Sequence, residues 1–330
     1  MNILSLFDGM SCGQIALNRI DITPGKYYAA EIDKYAIKVT QANYPNTIQL
    51  GSVTEWREWD LDWSTIDLVS GGFPCQAWSM AGKQLGDKDE RGMLFWVMLD
   101  IMKHAKQANP KIKFLIENVK MKKEFEDYIT HHTEQALGEV NKVLINSALV
   151  SAQNRRRFYW TNWNVEQPED KGILLKNIIE NGLVDRDKSY CIDANYWKGT
   201  NVEQYINKAR RQIVFDLPVA FTERRTEDAK KIRREFKQKY GRDFSPRRGK
   251  ELTPRTDGKM NCLTATYSMK EHTLIDEKIN YRKLTPTECE RLQTVPDNYT
   301  NHVSNTQRYK MLGNGWTVDV IAHILKQTDL

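Results

Sequence analysis

Four groups of residues have the types and the spacing to do chemistry. The first is Gly71-Gly72-Phe73-Pro74-Cys75-Gln76, a cysteine behind a glycine pair and a stiff proline. A lone cysteine is by default a small core residue. These flanks instead set Cys75 on a loop past a strand end, where open α/β sheets bind ligands, and make it a candidate nucleophile. The second group is Glu117-Asn118-Val119 behind the apolar run Phe114-Leu115-Ile116. A carboxylate at that strand end would share a crevice with Cys75 and can act as a general acid. The third is Gln153-Asn154-Arg155-Arg156-Arg157 at the head of another strand. Strand alternation puts Arg155 and Arg157 on one face and Arg156 on the other; the plain alternative is three surface arginines. The fourth is Phe7-x-Gly9-x-Ser11-x-Gly13 after the first strand, with Glu31 placed 22 positions after Gly9. Glycine there lets a ligand approach the backbone, and a carboxylate at that distance can bind both hydroxyls of a ribose. The spacing is not that of a pyrophosphate cradle. A nucleoside without phosphates fits better, and S-adenosyl-L-methionine is the commonest such cofactor. A simple strand–turn–helix unit remains the alternative for the same residues.

These groups need a frame that brings strand ends together. Asn2–Leu6, Tyr27–Glu31, Asp67–Ser70, Lys113–Ile116, 143–149 and Phe158–Thr161 read as strands. Helical patterns fall at Ile15 to Ile20, Lys34–Asn43, Arg91–Ala105 and Lys122–Leu137. The alternation predicts an α/β fold with a doubly wound, mostly parallel sheet covered on both faces. The rhythm stops after Thr161. Residues 162–281 are irregular, basic and aromatic, and helical patterns return at Pro286–Gln293 and Trp316–Gln327. The expected organisation is a catalytic and cofactor-binding domain over 1–161, a recognition domain over 162–281, and a segment 282–330 that rejoins the first.

The whole chain of 330 residues carries a formal charge of +6. Residues 208–259 hold 17 Lys and Arg against 8 Asp and Glu, so that stretch is +9 and the remainder is −3. Within it, Glu227 to Tyr240 reads as a helix, and Arg247 and Arg248 follow Ser245-Pro246. Such a stretch is either a solvated helix face or a surface for phosphates. The five cysteines are odd in number and have no CxxC spacing. That argues against a disulfide framework or a metal site and suits a reducing cytoplasm. No apolar run of membrane-spanning length and no signal-peptide pattern is present, so no membrane partner is expected.

In their order, these elements resemble the DNA (cytosine-5) methyltransferase family. FDGMSCG is similar to its first cofactor motif, AAEIDKYA to the second, and GGFPCQAWS to the catalytic Pro-Cys-Gln motif. DERGMLF, IENV, QNRRR, TPTECERLQTVPD and YKMLGNGWTV resemble later motifs. The variants FDGMSCG, SAQNRRRFYW and GNGW look closer to the de novo vertebrate branch and to phage enzymes than to the commonest restriction-system members. Ser11-Cys12 stands where many members have glycines, Ser52 where an acidic residue is usual, and Gly315-Trp316 in place of Ser-Val.

The resemblance implies a catalytic set of Cys75, Glu117, Arg155 and Arg157. Cys75 would add to carbon 6 of cytosine, with Glu117 on N3 and the exocyclic amine. Arg155 and Arg157 would hold the O2 edge and the carboxylate, and their charge would favour the thiolate. It implies S-adenosyl-L-methionine against Phe7 and Ile32, with Glu31 on the ribose and Ser52 and Val53 at the adenine. Asp8, Gly9, Met10, Ser11, Cys12, Gly13, Asn314, Gly315 and Trp316 would hold the methionine end, and Pro74 would lie near the methyl. The partner is double-stranded DNA, bound by a monomer from which the target base is flipped out. Ser79, Lys83 and Gln84, on a candidate lid from Ala77 to Arg91, would meet the opened duplex. Arg210, Arg211, Arg247 and Arg248 would contact DNA from the 162–281 region, where Thr264 and Thr266 also fall. A cognate restriction endonuclease stays open as a partner, and a compact chain suggests a bacterial or phage source. Three other readings compete: a tRNA cytosine as substrate, a non-catalytic DNA-binding relative, and a thiol hydrolase. The basic insert argues against the first, the intact catalytic set against the second, and the lack of a histidine in any catalytic-looking motif against the third.

Overall fold

The computed structural model describes residues 1–75, 78, 90–201, 205, 207, 208, 210–215, 221–243, 250–254 and 281–328, with the backbone alone at 90, 91, 221–224 and 250–254. Ser79, Lys83, Gln84, Arg247 and Arg248 lie outside the described residues, as do Thr264, Thr266 and most of the candidate lid.

Seven strands form the main sheet: β1 (Asn2–Leu6), β2 (Lys26–Ala30), β3 (Ile48–Gln49), β4 (Ile66–Gly71), β5 (Lys113–Val119), β6 (Asn141–Asn146) and β7 (Arg156–Thr161). Their order is β3-β2-β1-β4-β5-β7-β6. Neighbours run parallel from β3 through β5, and β7 runs antiparallel to both β5 and β6. The sheet is thus doubly wound and mostly parallel. The chain winds outward from β1 to β3, then returns to β4 on the other side of β1. That reversal opens a crevice at the carboxyl ends of β1 and β4.

Among the described residues eight helices follow in chain order: α1 (Cys12–Arg19), α2 (Lys34–Asn43), α3 (Glu90–Ala108), α4 (Lys123–Leu137), α5 (Glu227–Tyr240), α6 (Pro286–Leu292), α7 (Asn305–Asn314) and α8 (Val318–Leu325). One buried cluster joins Ile15 and Leu17 of α1 to Val320, Ile321 and Ile324 of α8. A second joins Phe95, Met98, Ile101 and Met102 of α3 to Ile129 and Leu137 of α4. The sheet lies between them. The ends of α5 obey local rules closely. Thr226 caps its start, acidic residues fill the first turn and basic ones the last, and Gly241 closes it in the left-handed conformation.

Among the described residues two short antiparallel pairs lie in the insert or at its far edge, β8 (Ile213–Phe215) with β11 (Tyr281–Lys283) and β9 (Phe221–Arg225) with β10 (Lys250–Pro254). Leu175, Ile178, Ile192, Tyr196 and Val214 belong to the same buried cluster as α1 and α8. The near part of the insert is therefore rooted in the catalytic core.

Several boundaries differ from expectation. β5 runs on to Val119, so Glu117 sits inside a strand, because β7 pairs with it up to Val119–Arg157. β6 stops at Asn146, whose side chain accepts from Ala148 N and turns the chain into a 3-10 helix at Ser147–Leu149. α8 starts at Val318, leaving Gly315 and Trp316 in the approach to it. α7 was absent from the sequence reading. Its NTQRYKMLGN is polar overall, and it buries Arg308 and Tyr309 as well as Met311 and Leu312.

Gly313 tests how closely the insert is rooted. A Cβ there would come 2.2 Å from the Asp193 carbonyl carbon and 2.4 Å from Ala194 N, both backbone atoms. Gly313→Ala should cost about 3 kcal/mol or more of unfolding free energy. Urea denaturation measures it; a loss under about 0.5 kcal/mol would show that the contact is slack.

Candidate active site

The crevice at the β1/β4 reversal is a cleft of about 480 Å³. Its walls include Phe7, Asp8, Gly9, Cys12, Glu31, Ile32, Ser52, Val53, Pro74, Cys75, Glu117, Arg155, Arg157, Asn314, Gly315 and Trp316. Met10, Ser11 and Gly13 do not line it. They form the support behind the turn: Tyr299 OH donates to Met10 O at 2.8 Å, the Ser11 hydroxyl donates to Asp8, and Gly13 packs on Tyr27. Arg210 and Arg211 lie away from the cleft, Arg210 exposed and Arg211 donating to Gly199 O at 2.8 Å.

The turn after β1 carries Phe7, Gly9 and Ser11 at φ of 56°, 61° and 60°. Left-handed backbone is costly for Phe7 and Ser11 and marks a turn whose shape the surroundings enforce. Glu31 supplies part of that enforcement. Its Oε2 accepts from Gly9 N at 2.8 Å, and its Oε1 accepts from Ile32 N and Asp33 N at 2.8 Å each. The carboxylate is held in one orientation, with lone pairs left for a ligand. Ile32 stands beside it, 76% exposed. Asp33 caps α2 and pairs with Lys310 Nζ at 2.8 Å, tying the second strand to α7. Burial pushes the Asp8 carboxyl up to about 6, against hydrogen bonds from Ser11, Ser5 and Tyr27.

Opposite stands Cys75. Asn118 Nδ2 donates to Phe73 O at 3.1 Å and pins the loop that carries it to β5. Buried Phe73 and Trp78 pack edge to face on either side of Pro74-Cys75. Glu117 is fixed at both oxygens. Arg157 Nε meets Oε1 at 3.0 Å, and Trp316 Nε1 donates to Oε2 at 3.2 Å. The first pair follows from strand register. Val119 faces Arg157 and Glu117 faces Tyr159 across the ladder, so Glu117 and Arg157 are diagonal neighbours within reach of long side chains. Gly72 makes room for this arrangement: a Cβ there would lie 2.8 Å from Glu117 Oε2 and 3.2 Å from Trp316 Nε1.

Arg155 behaves differently from Arg157. It is 3% exposed. Nη1 donates to Ile192 O at 3.0 Å and lies 3.3 Å from Cys191 Sγ, while Nη2 donates to Gly313 O and Gly315 O at 3.2 and 2.8 Å. Its donors are committed to backbone, so it positions the walls of the cleft. Its expected grip on the O2 edge of a base, and on the carboxylate, is not what this geometry provides. Both arginines favour the Cys75 thiolate, as expected, but they do not decide its ionisation. Burial pushes the Cys75 thiol up and Glu117 adds to that, outweighing Arg157 and Arg155. At Cys191 burial pushes the same way, yet the two arginines hold that thiol below its ordinary value. Sequence alternation found both arginines; it could not show that Arg157 pairs with Glu117 while Arg155 reaches Cys191. Sequence reasoning singled out Asn118 beside Glu117 without giving it a role, and it missed Gln293, Lys310 and Met311.

A doubly wound, mostly parallel sheet with a cleft, a cysteine and a carboxylate at its switch point defines a Rossmann-like α/β protein. The chain belongs to the C-5 cytosine-specific DNA methylase family, which matches residues 1–329. DNA cytosine-5 methylation is accordingly its chemistry. The chain is 30% identical to "Type II methyltransferase M1.ScrFI" of Lactococcus lactis subsp. cremoris, over 98% of this chain and 77% of that protein. It is 26% identical to "Type II methyltransferase M.HhaI" of Haemophilus parahaemolyticus, over 98% and 93%. Among solved structures, a Spodoptera frugiperda DNMT2 mutant superposes with a TM-score of 0.61 at 20% identity, covering 98% of each chain. That last likeness concerns the fold alone. Among the described residues no helix is long and apolar enough to cross a membrane.

The raised Cys75 thiol sets a reactivity. Iodoacetamide should alkylate Cys75 in the free enzyme with a rate that climbs with pH to a midpoint above the ordinary value of 9.0. Peptide mass mapping follows it; a midpoint near 7 would reverse the assigned balance of burial and charge.

Proposed function

We propose that the chain transfers a methyl group from S-adenosyl-L-methionine to carbon 5 of a cytosine flipped out of duplex DNA, through a covalent bond from Cys75 to carbon 6. The observation that carries this reading is the meeting in one cleft of Cys75, a Glu117 anchored at both oxygens, and Glu31 held by three backbone N–H groups.

The donor set fits the cofactor. Glu31 offers lone pairs to the ribose hydroxyls, Phe7 and Ile32 offer apolar faces for the adenine, and Ser52 and Val53 border its edge. Asp8 and the Asn314-Gly315-Trp316 wall take the methionine end. When bound, the cofactor supplies a methyl group.

Carbon 5 of cytosine is a poor nucleophile until carbon 6 carries a new bond. Cys75 loses its proton, its thiolate adds to carbon 6, and the displaced electron pair makes carbon 5 enamine-like. Glu117, oriented by Arg157 and Trp316, accepts from the exocyclic amine and shares a solvent-derived proton with N3, where negative charge develops on the ring. After carbon 5 takes the methyl group, with S-adenosyl-L-homocysteine as the leaving group, water takes the carbon-5 proton and expulsion of the Cys75 thiolate restores the ring. The raised Cys75 thiol limits the fraction of free enzyme that is ionised, so deprotonation belongs with substrate binding.

Flipping the base costs on the order of a few kcal/mol of stacking and pairing. The basic surplus of residues 208–259, around α5, supports that region as the surface for the duplex. The relatives' Type II names support a cognate restriction endonuclease as a partner.

Cys75→Ser should abolish transfer while leaving cofactor affinity within about twofold. Bisulfite sequencing of plasmid DNA from expressing cells reads activity and target context together. Transfer of labelled methyl to tRNA but not to duplex DNA would overturn the substrate assignment.

Asp8 gives the cofactor site a pH dependence. Its carboxylate is charged above about pH 6 and neutral below. A charged Asp8 facing the cofactor's ammonium favours binding, so Kd should rise as pH falls through 6, by at most about tenfold per unit. Calorimetric titration from pH 7.5 to 5 measures it. A flat profile, or the same slope in Asp8→Asn, would remove Asp8 from the cofactor site.

A further inference from the structure

Trp316 occupies a position where this chain departs from the family pattern, and its ring does more than wall the cleft. Its Nε1 donates to Glu117 Oε2 at 3.2 Å, while Arg157 Nε meets the other oxygen, Oε1, at 3.0 Å. The backbone around it is held on both sides. Gly315 O accepts from Arg155 Nη2 at 2.8 Å and from Gln293 Nε2 at 3.0 Å. Next in the chain, the Thr317 hydroxyl donates to Gln293 Oε1 at 2.8 Å and accepts from the Ser147 hydroxyl at 2.9 Å. Val318 N donates to Gln293 O at 2.9 Å. An indole carried on backbone this constrained has little freedom to leave its acceptor. Gly72 supplies the complementary space, since any Cβ there would press on both Oε2 and Nε1.

We propose that Trp316 is a positioning residue for the catalytic carboxylate: its indole N–H, with the Arg157 guanidinium, sets the plane of Glu117 so that the remaining lone pairs face the target base. An aliphatic side chain at this position has no donor, and one anchor alone leaves a carboxylate free to rotate about its last torsion. The arrangement also joins the two halves of the site. The wall assigned to the methionine end of the cofactor and the donor to the base-binding carboxylate are one side chain.

The inference rests on Glu117 acting on the base, and the experiment separates the two. Trp316→Phe keeps the ring and removes the N–H. Steady-state methylation of plasmid DNA gives kcat, and calorimetry with S-adenosyl-L-homocysteine gives cofactor affinity. The expected result is a fall in kcat of roughly tenfold, the scale of one hydrogen bond to a charged group, with cofactor Kd within about twofold of the parent. Gly72→Ala is the second variant, expected to give the same kcat-selective loss by displacing Oε2; it also serves if Trp316→Phe fails to fold by circular dichroism. A raised cofactor Kd with kcat unchanged would make Trp316 a cofactor wall only and overturn the proposal. So would a folded Trp316→Phe with both parameters unchanged. Should Glu117→Gln methylate at the parental rate, the underlying reading of Glu117 fails instead, whatever Trp316 does.

Discussion

One buried guanidinium joins stretches of chain that are far apart in sequence. Arg155, at the head of β7, donates to the backbone of Ile192 in the insert and to the backbone of Gly313 and Gly315 at the end of α7. A charge taken out of water is costly unless its donors are satisfied, and removing the partners of such a group costs more than the pair contributes. The group therefore acts as a constraint: catalytic sheet, insert and C-terminal segment must all be in place for its donors to be satisfied. Gln293 repeats the logic with neutral bonds. Its Nε2 donates to Leu312 O and Gly315 O, while Gln153 Nε2 donates to its Oε1. Asn314 to Trp316 are held by this network, and they form the wall between the two ends of the cleft.

The electrostatics around Cys75 follow from what the arginines are already doing. Arg157 is paired with Glu117, so much of its charge is neutralised where the thiol would feel it. Arg155 is turned toward Cys191 and the carbonyls beyond. Burial then dominates and the free thiol stays protonated. Cys12, buried under the first turn, is pushed up to about 12 by the same desolvation. Proximity of positive charge in sequence is thus a poor guide to thiol ionisation. What decides it is which acceptors have already claimed the donors, and how much water the sulfur has lost.

The sheet was legible because its signals are local. Asn2–Leu6 and Lys34–Asn43 coincide with expectation, and so does Glu227–Tyr240 in the basic region, where cap, charge order and closing glycine agree. The positions of Cys75, Glu117 and Glu31 were legible for the same reason, since each sits just past or near a strand end at the carboxyl edge. What was not legible depends on partners remote in sequence. α7 buries Arg308 beside Glu290, with Nη2 to Oε1 at 3.0 Å, and that contact offsets a polarity which hides the helix from any periodicity. The support role of Met10, Ser11 and Gly13 depends on Tyr299 and Tyr27. The division of labour between Arg155 and Arg157 depends on Ile192, Gly313 and Gly315.

The rooting of the insert has a mechanical consequence. The Gly313 Cα lies so near Asp193 and Ala194 that a methyl group does not fit, and Tyr196 and Tyr309 pack ring to ring at 5.7 Å. Residues 193–196 and α7 therefore form one close-packed unit, and close-packed interiors transmit displacement rather than absorb it. Lys310 of the same helix holds Asp33, whose N–H shares Glu31 with Gly9 and Ile32. A shift at the root of the insert must then move α7. Moving α7 disturbs Trp316 at one end and the Lys310–Asp33 tie to Glu31 at the other. The root of the insert, Glu117 and Glu31 are all tied to a single helix, Asn305–Asn314, although none of the three belongs to it.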